Sequence, residues 1–101
     1  MHLATVLFFL TALISTASAW NLVLTMKDTR TATMHGTLPH DCQKLDLDMS
    51  SPVVTASFVE SFWVDTFELW ANADCTGRVF REGDGTHPIT LPFKVLAYKI
   101  K

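Results

Sequence analysis

The chain has 101 residues, 49% of them hydrophobic and 18% charged, with a formal net charge of −2. That length supports one small domain rather than several. The slight acidity argues against a strongly basic nucleic-acid-binding surface, since phosphate affinity scales with clustered Lys and Arg.

Residues 1–19 read as a secretory leader. Val6–Ile14 is an apolar run and Ala17-Ser18-Ala19 is a small-x-small cleavage pattern, which places cleavage before Trp20. The apolar run is too short to cross about 30 Å of hydrocarbon, and no basic stop-transfer flank follows it. The expectation is a secreted, extracellular domain over residues 20–101 that does not insert into a membrane once the leader is removed.

From Trp20 the pattern is that of strands. Trp20, Leu22, Leu24 and Met26 alternate with polar or smaller residues, Lys27–Arg30 reads as a turn, and Thr31–His35 alternates again up to Gly36. Pro39 breaks the chain before Gln43–Met49, where Leu45, Leu47 and Met49 are expected inward and Lys44, Asp46 and Asp48 outward. Val53–Val59 is rich in β-branched residues and predicts a further strand. Glu60–Asp65 fits a strand edge or an ordered loop equally well.

Thr66–Phe80 reads as strand, tight corner, strand. Phe67, Leu69 and Ala71 alternate with Thr66, Glu68 and Trp70, and Asn72–Gly77 carries the Asn, Asp and Gly that tight backbone favours. Glu82–Gly85 is a turn by composition. Thr86–Pro92 is extended, but Pro88 and Pro92 confine it to a short, irregular or edge strand. Phe93–Ile100 closes the chain with Leu96, Tyr98 and Ile100 on one face. No window holds a helical period for three turns, so short strands at a spacing of about 8–12 residues predict an all-β sandwich or barrel.

Cys42 and Cys75 are the two cysteines. An even pair in a small secreted domain reads as a disulfide, and only one intramolecular pairing exists. Charge is uneven along the chain: Asp41–Asp74 is strongly acidic, while Arg78, Arg81, Lys94, Lys99 and Lys101 make the C-terminal end basic. Of the aromatics, Trp20 and Trp70 fall in strands and are expected to pack. Phe62 and Trp63 lie in the ambiguous segment and are the best exposed pair, a candidate sugar- or protein-binding surface.

Trp70 and Gly77 stand seven residues apart across a folded hairpin, and Ala97-Tyr98-Lys99-Ile100 closes the chain with a short apolar-basic-apolar end. These features resemble a βγ-crystallin-type Greek-key motif over about Thr66–Ile100, with Ala97 where that motif carries a serine. The resemblance implies a small crystallin-like Greek-key sandwich, with the N-terminal half as a second, degenerate copy. Crystallin-type calcium sites pair two acids ahead of Ser/Thr-Ser. Asp46-Leu47-Asp48-Met49-Ser50-Ser51 only half matches, so no calcium dependence and no cofactor are expected. Trp20, His35-Gly36, Cys42, Phe67-Glu68-Leu69-Trp70, Cys75 and Tyr98-Lys99-Ile100 together are similar to small secreted proteins of filamentous fungi. That likeness implies a non-enzymatic, effector-like or toxin-like interaction protein, monomeric, with a protein, cell-surface or carbohydrate target.

Two alternatives stand beside this reading. His40, Glu60, Arg78 and His87 follow the His, Glu, Arg, His order of small secreted ribonucleases, which supply a base, an acid and a phosphate-binding cation. A structural or carbohydrate-binding surface protein is the other. No Ser-His-Asp, Cys-His or zinc spacing is present.

Overall fold

The computed structural model describes residues 19–45 and 50–101. Met1–Ser18 of the assigned leader, and Asp46–Met49 of the half-matched calcium segment, lie outside the described residues. Every regular element among those described is a strand: β1 Trp20–Met26, β2 Thr31–Gly36, β3 His40–Lys44, β4 Val53–Val59, β5 Phe67–Trp70, β6 Val79–Glu82, β7 Gly85–Phe93 and β8 Ala97–Ile100.

The strands form two antiparallel sheets of four. The first has the order β2-β1-β4-β7 and the second β3-β8-β5-β6. The two orders are related by a shift of four places along the chain: β2, β1 and β4 correspond to β6, β5 and β8, and β7 corresponds to β3. Each half of the chain keeps three strands together and gives its third strand to the other sheet.

Alternation drives the core. Trp20, Leu22, Leu24 and Met26 of β1 are all buried, with Asn21, Val23 and Thr25 on the other face. Phe58 of β4 meets Phe67 of β5 at 5.2 Å between ring centroids, and Leu69, Val64, Val95 and Ile100 complete the same cluster. Trp20 is 1% exposed; its indole Nε1 donates to the Leu38 carbonyl at 3.0 Å. Gly36 lies against that ring, so close that a Cβ would stand 3.0 Å from it.

Two expectations from the sequence need correction. The strand expected at Gln43–Met49 starts earlier, at His40 directly after Pro39, and ends at Lys44. Its position is set by pairing with β8, through His40–Ile100, Gln43–Tyr98 and Lys44–Ala97, rather than by its own alternation. Phe93–Ile100 is not one strand: Phe93 ends β7, and Lys94–Leu96 connects it to β8. Tyr98 packs against the core and Ile100 is buried within it, but Leu96 is 43% exposed and the connecting Val95 is buried in its place. The proline-bearing segment is an edge strand, yet β7 runs nine residues; its ladder with β4 absorbs the prolines through a register shift between Val53 and Thr55.

The alternation sets Glu68 on the outer face of β5, but it is fully buried. Arg81 of β6 is its cross-strand partner. The Arg81 guanidinium donates to Glu68 Oε2 at 2.5 Å and the Lys101 ammonium lies 3.1 Å from the same oxygen. Burial alone would push this carboxyl up. The hydrogen bonds and charges of Arg81 and Lys101 outweigh burial and hold it below its ordinary value.

Candidate interaction site

The disulfide forms as read: Cys42 in β3 is bonded to Cys75, with their Cα atoms 5.9 Å apart. Cys75 sits in the corner between β5 and β6. Side chains organise that corner: the Asn72 amide donates to the Thr76 hydroxyl at 3.1 Å, and that hydroxyl donates to the Asp74 carboxylate at 2.5 Å. The residues that take left-handed backbone are Cys75 (φ 56°) and Gly77 (φ 83°). Asn72 and Asp74, which could tolerate that conformation, act instead through their side chains. The left-handed backbone favours glycine at Gly77, where a Cβ would also displace the Asn72 amide, 2.8 Å away.

The ambiguous segment Glu60–Asp65 belongs to an ordered loop joining β4 to β5, whose N–H groups at Glu60, Ser61, Trp63, Asp65 and Thr66 are all bonded. The Glu60 N–H donates to the Asp84 carboxylate at 2.8 Å. The Ser61 N–H donates to the Val64 carbonyl at 3.0 Å, and the Trp63 N–H to the Ser61 hydroxyl at 3.3 Å. Val64 is buried as an anchor, and the N–H groups of Asp65 and Thr66 donate to the Lys101 carbonyl. At the tip Phe62 is 82% exposed and Trp63 60% exposed, their rings edge to face at 5.1 Å. The sequence singled out this pair and the structure presents both rings to solvent.

Two further apolar side chains stand at the same end of the sandwich, and sequence reading missed both. Val59 is the last residue of β4, and Leu38 follows the end of β2; both are more than half exposed. Asn21, paired with both His35 and Val59, sets the ends of β2 and β4 beside the start of β1. Exposed Glu60, Asp65 and Asp84 flank the loop with negative charge. Leu38, just before Pro39, lies in the connection after β2 with no pattern to mark it as exposed, and Val59 ends a strand with an outward step of the alternation. Only the second carries a signal in the sequence.

The four residues of the ribonuclease-like order are distributed. His40 pairs with Ile100, Ile100 with Phe67, and Phe67 with Glu82, so His40 lies three strand spacings from Glu82, about 14 Å across the second sheet. The His40 ring packs on Trp20 at 5.6 Å. His87 is at the opposite margin: its Nε2 is 2.9 Å from the Gly83 carbonyl oxygen and its Nδ1 is 4.0 Å from Glu82 Oε2. The Arg78 guanidinium lies over the Phe93 ring at 4.4 Å. Arg78 and His87 do share one feature, an open cleft of about 440 Å³ between the β6 and β7 edges, lined also by Glu82 and Ile89. Glu60 is in the pinned loop, bonded through its N–H to Asp84, and does not line the cleft.

Among the described residues, no group of three His, Cys, Asp or Glu side chains converges as a metal site would. Compared with known protein families, with curated proteins and with solved structures, the chain has no match.

Proposed function

We propose that this chain is a secreted, non-enzymatic interaction protein, effector-like or toxin-like, that engages its partner through the Phe62–Trp63 tip. One observation carries the reading: two neighbouring aromatic side chains are held in solvent by a loop whose backbone is bonded at Glu60, Ser61, Trp63, Asp65 and Thr66. The bonded backbone sets both residues at the tip while Val64 fills the buried position beside them, so the apolar surface of the two rings stays available. Burying such a ring is worth about 1.5–3 kcal/mol, which the free protein forgoes and a complex recovers. Aromatic anchors on preorganised backbone are the usual energetic centres of interfaces. The strand orders of the two sheets, related by four places and exchanging their third strands, support the finer reading of the scaffold as a pair of crystallin-like Greek-key motifs.

The test is retention on a panel of intact eukaryotic cells and isolated cell walls, with the wild-type protein compared with a Phe62→Ser/Trp63→Ser double variant. Wild type is retained on at least one preparation, and the double variant binds it at least about thirtyfold more weakly, the loss expected on truncating an interface hot spot. Equal retention of the two proteins on every preparation overturns the reading.

A further inference from the structure

Charge divides between the sheets more sharply than along the sequence. The strands of the first sheet, β1, β2, β4 and β7, contain no Asp, Glu, Lys or Arg. The shorter strands of the second sheet carry Asp41, Lys44, Glu68, Arg81, Glu82 and Lys99. The outer face of the first sheet is instead built from rows matched across strands. Thr31, Thr25 and Thr55 form one row, Thr33, Val23, Ser57 and Thr86 the next, and His35, Asn21 and Val59 the last.

Two sheets of four strands have four edges, and an open edge invites another strand unless charge, proline, irregularity or shortness blunts it. Three edges here are blunted. β7 carries Pro88 and Pro92; β3 carries Asp41, Lys44, a register shift and the disulfide; β6 is four residues long with exposed Arg81 and Glu82. β2 has none of these devices. It is six residues, uncharged, free of proline, and keeps unbroken register with β1 from Thr31 to Gly36.

The phase of the ladder shows which main-chain groups β2 offers. The Met26 N–H donates to the Arg30 carbonyl at 2.8 Å, which makes Met26–Arg30 a hydrogen-bonded pair. Bonded and non-bonded pairs alternate along an antiparallel ladder. Leu24–Ala32 and Leu22–Met34 are therefore bonded, and Thr31, Thr33 and His35 turn their N–H and C=O groups away from β1. These are also the residues whose side chains stand exposed on the outer face.

The geometry points to β2 as a self-pairing edge, at which a second copy of this chain adds its own β2 antiparallel to the first. A register centred on Thr33 sets Thr33 opposite Thr33 of the second copy, Thr31 opposite His35, and Ala32 opposite Met34. Every opposed pair then shares a face: hydroxyls and imidazole outward, Ala32 and the half-buried Met34 inward against the core. The outward main-chain groups fall in phase, giving about six hydrogen bonds, two from each of three bonded pairs. Thr–Thr is a favourable cross-strand pair, and no like charges meet, since neither strand holds a charged residue. The resulting eight-stranded sheet has an uncharged outer face and ends in the proline-blunted β7 of each copy. β2 is complementary to itself: about Thr33 its exposed residues oppose exposed ones, its inward residues oppose inward ones, and its outward main-chain groups meet in phase. The Phe62–Trp63 loop emerges from β4, two strands in from the new junction, so this association does not depend on the proposed partner site.

Sedimentation equilibrium of the folded, disulfide-intact protein tests the assignment. Wild type is expected to show a reversible monomer–dimer equilibrium within about 10 µM to 1 mM, the strength of a small interface. Thr33→Lys sets like charges opposite each other at the centre of the junction and weakens the dimer at least about tenfold. Thr33→Pro does the same by removing an outward N–H that β1 does not use. Thr90→Lys puts a charge on the opposite edge of the same sheet and leaves the dimer unchanged. Each variant is checked by its thermal midpoint, and Thr33→Lys, at an exposed site, remains interpretable if Thr33→Pro fails to fold. A wild-type chain that stays monomeric to 1 mM overturns the assignment, whatever other strand the edge accepts. A dimer dissolved by Thr90→Lys but not by Thr33→Lys overturns it as well.

Discussion

Glu68 illustrates how far one residue can depart from its pattern. Alternation along Thr66–Trp70 assigns its face correctly, but no local signal shows that Arg81 of β6 and Lys101, just past β8, converge on it. Because its folded value is lowered from the ordinary 4.5, the carboxylate contributes stability that is fully present above 4.5 and is lost as pH falls through the lower folded value. Glu68→Gln should therefore cost about 1–2 kcal/mol at pH 7, discounted for its half-exposed cations, and the difference from wild type should shrink on acidification below 4.5. Denaturant melts at pH 7 and pH 3 measure this; a cost unchanged between them would remove the ion pairs as its cause. Gly36 is a second case. It looks like a simple strand terminator in the sequence, yet its contact with Trp20 fixes it sterically. Gly36→Ala should cost about 1–3 kcal/mol, as overpacking does, with a change in Trp20 fluorescence from displacement of the indole.

Elements with strong alternation or punctuation were legible, and those defined by distant partners were not. β1 and β2 match their predicted spans because each carries its own period of two, and β4 because its β-branched residues mark it. β3 does not: His40-Asp41-Cys42-Gln43-Lys44 has no apolar alternation, and only the β8 ladder and the disulfide make it a strand. The β4–β5 loop lies between. Phe62, Trp63 and Val64 are three consecutive apolar residues, so the sequence could flag an exposed ring but not say which residue anchors. Val64 does, at 3% exposure. Division of labour within that loop is testable by denaturant unfolding. Phe62→Ser/Trp63→Ser should change stability by less than about 0.5 kcal/mol, as surface changes do, while Val64→Ala should cost about 1–3 kcal/mol. Comparable losses from both would show that the rings pack in the free protein and are not held ready for a partner.

At the scale of the molecule the organising fact is strand exchange, which no stretch of sequence reveals because it lies in pairings between the halves. β3 is the one strand that the N-terminal half gives to the second sheet, as β7 is the one that the C-terminal half gives to the first. Their supports differ. β7 pairs with β4 over a nine-residue strand, whereas β3 is five residues long and has an interrupted ladder with β8 between His40 and Gln43. The Cys42–Cys75 bond joins that weak edge to the β5–β6 corner of the sheet it has entered. The bridge thus does more than close a loop. It fixes the exchanged strand where backbone pairing is poorest. Closing a loop of sequence separation 33 is worth about 3.5–4 kcal/mol in the chain-entropy account, a large fraction of the stability of a domain this small. Cys42→Ser with Cys75→Ser should therefore lower the thermal midpoint by about 15–30 °C, at roughly 4–8 °C per kcal/mol for a domain of this size. Loss should begin locally: limited proteolysis of the double variant should cut within His40–Lys44 before the rest of the chain opens, since the first sheet keeps all its pairings. A variant that melts within a degree or two of wild type, or that is cut first in β7, would show that the exchange is held by the core alone.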